Sequence, residues 1–183
     1  MGKARKLENK SAHMKQNQNA KISGLLKQGQ TLFFAKPPDL DGAIEVFRSV
    51  TKQVPSWAEG FNWLGSALEQ RGKLENAITM FQRAVQLDKH DSRPLISLGV
   101  CFVKAGRLNE AIKSFRSGLE LKPHYGEADA RLMLADAFER SGKIQDAIAE
   151  WKKISEITGF YPSGDAPMIE AKAKLAKHGI KIH

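Results

Sequence analysis

The chain has 183 residues, of which 42% are hydrophobic and 27% charged, and its formal net charge is +9. This length predicts one domain, and no run of about 18 apolar residues is present to cross a membrane. The single cysteine excludes an internal disulfide framework. Because the N-terminus also lacks the apolar core of a secretory signal, we expect an intracellular, cytoplasmic protein.

Residues 1–21 form a basic N-terminal leader that is rich in Asn and Gln and poor in large apolar side chains. Such a composition predicts flexibility, because it offers too little apolar surface to offset the entropy of ordering. We prefer a solvated leader to a specific nucleic-acid or membrane arm. If it has a partner, that partner is anionic, such as RNA or an acidic protein surface, and would contact Lys3, Arg5, Lys6, Lys10 and Lys15.

After the leader, one pattern recurs at intervals of 34 and then 36 residues. Its elements are a Leu followed by Gly or Ala, a turn glycine, an alanine and an aromatic residue. The Leu residues are Leu64, Leu98 and Leu134; the glycines are Gly72, Gly106 and Gly142; the alanines are Ala77, Ala111 and Ala147; the aromatics are Phe81, Phe115 and Trp151. One period upstream, Ala43 and Phe47 indicate a further unit at the start of the array.

Apolar residues recur at helical spacing on both sides of each turn glycine, which predicts two helices in every unit. The four units are 22–57, 58–91, 92–125 and 128–160, with helices at 22–35 and 41–53, 57–70 and 75–87, 92–105 and 109–121, and 128–141 and 144–157. Residues 161–183 should hold a capping helix near 166–178 and a basic tail. We expect Asp165 to cap that helix and Lys172, Lys174 and Lys177 to face solvent.

A period near 34 residues with this order of residue types resembles the tetratricopeptide repeat family, and the resemblance covers about residues 22–160. It implies an all-α fold, a right-handed α-solenoid of about four helix-turn-helix repeats plus a C-terminal capping helix. Stacking gives such repeats a continuous core that no single unit could form. The resemblance also implies a concave groove for peptides, lined by the first helix of each repeat.

That geometry implies a set of partner-binding residues on the first helices: Phe34, Asn62, Trp63, Ser66, Arg93, Ile96, Ser97, Val100, Lys104, Met133 and Asp136. Many are apolar, and an exposed apolar strip usually marks a partner site. We expect Trp63 and Val100 to be exposed, because Leu64 and Phe102 already supply the core. Phe33, Val103 and Leu132 complete the strip, and for these three residues burial between repeats is at least as well supported as ligand contact. The groove face also includes Leu26, Gln30, Glu59, Glu69, Gln70, Asp129 and Arg140.

No motif for catalysis, metal binding or cofactor binding is present. The five histidines are scattered, with no pair at i, i+4 and no acidic partner at ligand spacing. Cys101 stands where neighbouring units have Ala67 and Ala137, which indicates a small core residue rather than a reactive thiol. We therefore predict no enzyme activity, no metal and no cofactor.

Binding of chaperone tails is also not predicted. Chaperone-binding members of the family grip a C-terminal carboxylate with Lys, Asn and Arg on successive first helices. The matching positions here are occupied by Leu26, Gln30, Trp63, Arg93 and Ser97. A carboxylate would lack most of its donors in such a groove.

These observations predict a protein–protein interaction adaptor that binds a partly apolar peptide or protein segment in its groove. The alternative is a component of a ribonucleoprotein or other anionic assembly, docked through its basic ends. Residues 1–23 carry a net charge of +5 and residues 166–183 carry +3, whereas residues 24–165 carry only +1. Steep loss of binding with added salt would favour the alternative, because phosphate contacts release counterions.

Overall fold

In this computed structural model, residues 20–122, 126–156 and 165–180 are described. Those residues form nine α-helices and no strand, which confirms the all-α prediction. Within the described ranges, the bounds of each helix lie within two residues of the predicted ones. The helices are α1 (20–33), α2 (Leu40–Gln53), α3 (Ala58–Gln70), α4 (Leu74–Leu87), α5 (Ser92–Lys104), α6 (Leu108–Glu120), α7 (Glu127–Arg140), α8 (Ile144–Glu156) and α9 (Ala166–Lys177).

Successive helix pairs stack side by side into an α-solenoid. Each second helix packs on its own first helix and on the first helix of the next pair. The first helices α3, α5, α7 and α9 also contact one another in order, whereas no close backbone contact joins successive second helices among α2–α9. The first helices therefore form the inner, concave side of the stack.

The turn inside each pair depends on a glycine with left-handed backbone. Gly72, Gly106 and Gly142 have φ values of 79°, 74° and 77°, which glycine adopts without a Cβ clash. The next residue donates its N–H back to the helix, as from Lys73 to the Leu68 carbonyl at 2.8 Å. The same turn follows α9, where Gly179 has φ 73° and Ile180 donates to Leu175.

The core runs along the interior of the stack and is centred on one buried aromatic residue in each second helix. Phe47, Phe81, Phe115 and Trp151 have almost no exposed surface. In the first three units a glycine of the first helix faces this ring, as Gly65 faces Phe81. A Cβ at Gly65 would lie 2.7 Å from Cε1 of that ring, which explains why the repeat pattern has a small residue at this position.

Helix α9 closes the C-terminal end of the stack by packing on α7 and α8. Ala171 and Leu175 are fully buried there. Two expectations about this helix are wrong. The Asp165 side chain makes no capping hydrogen bond, although the residue stands at the N-cap position. Lys174 does not simply face solvent, because its ammonium group donates to the Glu139 carboxylate at 2.6 Å.

Several predictions concern residues outside the described ranges. The leader's basic side chains (Lys3, Arg5, Lys6, Lys10 and Lys15) and the final basic residues of the tail lie there. The predicted leader boundary also requires adjustment, since residues 20 and 21 already belong to α1. Across the three described ranges, none of the helices combines the length and apolarity that a membrane crossing requires.

Candidate functional site

The inner surface of the solenoid carries a cleft between α5 and α7 with a volume of about 310 Å³. Its walls are mainly aliphatic, and the buried ring of Phe115 reaches it from the second helix behind. We name this cleft the α5/α7 pocket; its lining consists of Val100, Val103, Lys104, Phe115, Leu132, Met133, Asp136 and Glu170. Four of the predicted groove residues (Val100, Lys104, Met133 and Asp136) are therefore brought together in it.

Met133 stands at the mouth of the α5/α7 pocket with 42% of its surface exposed. Val100, Val103 and Leu132 are partly buried and pack against the core. Val100 is thus half-buried rather than exposed as we expected, and its remaining surface lines the pocket. An apolar cleft with an adaptable methionine at its mouth is suited to receive an apolar side chain.

Three charged side chains surround the α5/α7 pocket. Lys104 forms an ion pair with Glu69 on the neighbouring first helix. Asp136 is 3.4 Å from Arg140, one turn further along the same helix. Glu170 reaches the pocket from the capping helix α9, a position that the repeat pattern did not predict. The pocket is therefore apolar inside and charged at its edge.

A second apolar surface lies at the N-terminal end of the groove, where aromatic rings meet. Trp63 has ring centroids 5.8 Å from both Phe33 and Phe34, edge to face, and stacks on Phe47 at 5.9 Å. Phe34 is 65% exposed. Its neighbour Phe33 is buried, as is Leu26 further up α1.

Trp63 is therefore not the exposed residue that we expected. It is only partly exposed and packs against the core, because aromatic side chains of α1 and α2 cover two sides of its indole. Its indole N–H donates to Glu59 Oε1 at 3.4 Å. The ring contacts of Trp63 with Phe33 and Phe47 join the first two helix pairs, so Trp63 contributes to the stack as well as to the groove surface.

Two other predicted groove residues face away from the open cleft. Asn62 is only 9% exposed, and its Oδ1 accepts no hydrogen bond from the described part of the chain. Ile96, at the equivalent position of the next unit, packs against α6, where a Cβ on Gly118 would lie 2.9 Å from Ile96 Cγ1. This position therefore turns at least partly toward the interior of the stack, and a role of the two residues in the groove stays a prediction.

The polar groove residues are partly committed to neighbours within the chain. Arg93 is exposed, but its guanidinium forms an ion pair with Asp91 at 2.8 Å. Ser66 donates to the Asn62 carbonyl at 3.1 Å and is partly buried, as is Ser97. These residues form a more polar stretch between the α5/α7 pocket and the aromatic rings of Phe33, Phe34, Phe47 and Trp63, which we name the aromatic cluster.

The single thiol lies in the core rather than at a reactive site. Cys101 is fully buried, and burial raises the pKa of its thiol to about 12. A thiol with so high a pKa is almost entirely protonated at neutral pH and is a poor nucleophile. Within the described ranges, no three His, Cys, Asp or Glu side chains come together where they could hold a metal ion.

Stacked helix pairs with a partly apolar inner surface define a helical-repeat scaffold for protein–protein interaction. Models of the tetratricopeptide repeat match residues 39–92, 68–124 and 102–162. The chain therefore belongs to the tetratricopeptide repeat family, whose members are generally scaffolds rather than enzymes.

Solved structures show the same fold. A crystal structure of MamA shares 25% sequence identity with this chain and has a TM-score of 0.67; the match covers 85% of this chain and 81% of the MamA chain. MamA from Desulfovibrio magneticus RS-1 is 21% identical with a TM-score of 0.66, covering 74% of each chain. An O-GlcNAc transferase mutant from Thermobaculum terrenum is 24% identical with a TM-score of 0.67, but the match covers 75% of this chain and only 26% of the transferase. No curated protein matches the chain in sequence.

Proposed function

We propose that this protein is an adaptor that binds a partly apolar peptide or protein segment in its inner groove. The α5/α7 pocket is the main anchoring subsite, and the observation that carries the proposal is its aliphatic lining beside the exposed Met133. Ligand sites in proteins are typically concave, mostly apolar and edged by a few polar groups. The α5/α7 pocket has this composition and lies on the inner side of the stack.

The aromatic cluster supplies a second contact surface. Phe34 is 65% exposed and rests edge to face on Trp63. Exposed aromatic side chains held by neighbours lose little conformational entropy on binding, which makes them effective contact residues. A segment lying along the groove would contact this cluster at one end and the α5/α7 pocket further along.

A carboxylate clamp does not form part of the proposal. Leu26 is buried, Trp63 is surrounded by rings, and Arg93 is paired with Asp91. A free carboxylate needs several unpaired donors in one place. These three positions do not offer them, which favours side-chain recognition over recognition of a chain end.

The test is selection of binding peptides from a random library on the full chain. Peptides of about twelve residues span roughly 40 Å when extended, enough to cross several repeats. We expect the selected peptides to lose about tenfold or more in affinity for Met133→Asp, measured by fluorescence polarisation, because loss of an interface hot spot costs at least about 2 kcal/mol.

Ile169→Asp is the matched control. Ile169 is 65% exposed and lies on α9, outside the α5/α7 pocket. The control should bind the selected peptides as the wild type does. Equal affinity of the wild type and Met133→Asp, with both folded by circular dichroism, would exclude the α5/α7 pocket as the anchoring subsite.

A further inference from the structure

Of the three charged side chains at the edge of the α5/α7 pocket, two form an ion pair with another residue of the chain. Lys104 is paired with Glu69, and Asp136 with Arg140. Glu170 is exposed and forms no ion pair with any residue of the described ranges. The nearby ammonium group of Lys174 donates instead to Glu139, at 2.6 Å. Of the two carboxylates that line the pocket, Glu170 is thus the one without an ion-pair partner among the described residues, although it lies within the electrostatic reach of Lys174.

From this charge distribution we infer that the segment bound in the α5/α7 pocket carries a Lys or Arg beside its apolar anchor, and that this basic residue contacts Glu170. The inference rests on the proposed function. A carboxylate next to an apolar surface attracts a cation more strongly than one in open water, because the surroundings screen less. Asp136 and Lys104 on the same edge already have partners, Arg140 and Glu69, so Glu170 is the side chain that would select the charge of the segment.

The size of the site limits how far apart the apolar anchor and the basic residue can be in the sequence of the bound segment. Because Glu170 lines the same pocket as Met133, the apolar anchor and the basic residue must be close in the sequence of the segment. Side chains at i and i+2 of an extended strand lie on one face, about 6.6 Å apart. Those at i and i+3 or i+4 are neighbours on a helix. We therefore place the basic residue within about four positions of the anchor.

The inference gives α9 a role beyond closing the core. Its position is fixed by the buried Ala171 and Leu175 and by the ion pair between Lys174 and Glu139. With the helix held in this way, Glu170 is presented at the pocket edge from a rigid element. Charged residues at the rim of an interface mainly set partner choice and association rate. Selectivity for basic segments would then depend on the capping helix, and apolar affinity on α5 and α7.

The experiment repeats the library selection with two charge-reversed variants. Glu170→Lys reverses the charge at the pocket, and Glu45→Lys makes the same change at an exposed position of α2, outside it. Wild type and Glu45→Lys should enrich Lys or Arg near an apolar residue. Glu170→Lys should lose this enrichment and favour Asp or Glu. Peptides selected on the wild type should bind Glu170→Lys about tenfold more weakly, with the difference shrinking as salt is added.

The outcomes distinguish this inference from the proposed function. If the wild type selects Met133-dependent apolar peptides without basic residues, or if Glu170→Lys keeps the basic preference, the inference fails and the groove function stands. If no Met133-dependent peptide is found, both fail. If sedimentation shows self-association that Met133→Asp abolishes, the occupant is a second copy of the chain, and the inference is overturned.

Discussion

Gly99 lies directly against the ring of Phe115, so closely that a Cβ at Gly99 would be 2.5 Å from Cε1 of that ring. The same relationship joins Gly65 to Phe81. In the fourth unit the small residue is Ala135 and the aromatic is Trp151, and both are almost completely buried. The spacing between first and second helices is therefore set by how closely a ring can approach the backbone of its partner.

Gly99→Ala should destabilise the protein by about 1–3 kcal/mol, because the added methyl group overlaps a ring that the core holds on all sides. Gly24→Ala is the control. Apart from its chain neighbours and the backbone of its own helix, no heavy atom of the described residues lies within 4 Å of a Cβ at Gly24, which is inside α1. That change should be neutral or stabilising by about 0.5–1 kcal/mol. Urea denaturation measures both, and equal effects would contradict the role of close approach.

Phe81→Ala should cost about 3–5 kcal/mol, as expected for a fully buried ring. Trp63→Ala should cost roughly half as much, because the indole is partly exposed yet contacts three rings. Phe34→Ala should change the free energy of unfolding by less than about 1 kcal/mol. The order of the three variants in urea is the measurement. A loss for Phe34→Ala as large as that for Phe81→Ala would place Phe34 in the core.

Cys101 should react with a thiol reagent only after unfolding, since burial raises the pKa of its thiol from 9.0 to about 12. The native state keeps the proton that the unfolded chain releases above pH 9, so the free energy of unfolding should fall as pH rises from about 9 to 12. Cys101→Ala, which copies the buried Ala67 and Ala137, should remove this part of the pH dependence. Rapid labelling of the folded protein at pH 8 would contradict the assignment.

The ion pair between Glu139 and Lys174 should make the docking of α9 sensitive to acid. The hydrogen bond from Lys174 lowers the pKa of the Glu139 carboxyl below its ordinary value of 4.5. Its stabilising contribution is complete above that ordinary value and is lost as pH falls through the lowered one. Glu139→Gln should lower the free energy of unfolding at pH 7 by about 0.5–1 kcal/mol. The difference from the wild type should shrink as pH falls below 4.5. A constant difference across this range would show that packing, not charge, is responsible.

Deletion of residues 1–19 tests the alternative of an anionic assembly. We expect an unchanged melting temperature, since the cut leaves the buried Ile22 and all of the described part of α1 in place. If the leader contacts RNA, deletion should reduce the dependence of RNA binding on salt concentration, because fewer counterions are released. An unchanged salt dependence would leave the leader's charges without a role there, and a lower melting temperature would show that the leader packs on the stack.

The helices could be predicted closely because the signals that define them are local. Each turn glycine lies a few residues from the ends of both helices that it joins. The side of each helix that faces the groove was less predictable. The environment of Trp63 depends on Phe33, from the preceding unit, and on Phe47, contacts that a repeat pattern does not specify. Glu170 was missed because α9 stands outside the repeats. Gly179 lies 37 residues after Gly142, close to the repeat period, and both glycines follow a helix and have a left-handed backbone. This spacing was the available signal that α9 occupies the position of a further first helix.

Close backbone contacts join successive first helices, whereas successive second helices are linked by long polar side chains, as in the ion pair between Arg116 and Asp146 at 3.7 Å. The inner side of the stack is therefore held more closely than the outer side. Small rotations at each junction add up along the array, as in other solenoids in which every unit contacts only its neighbours. We therefore expect the groove to widen or tighten by elastic bending, with each buried ring staying in place against its own first helix.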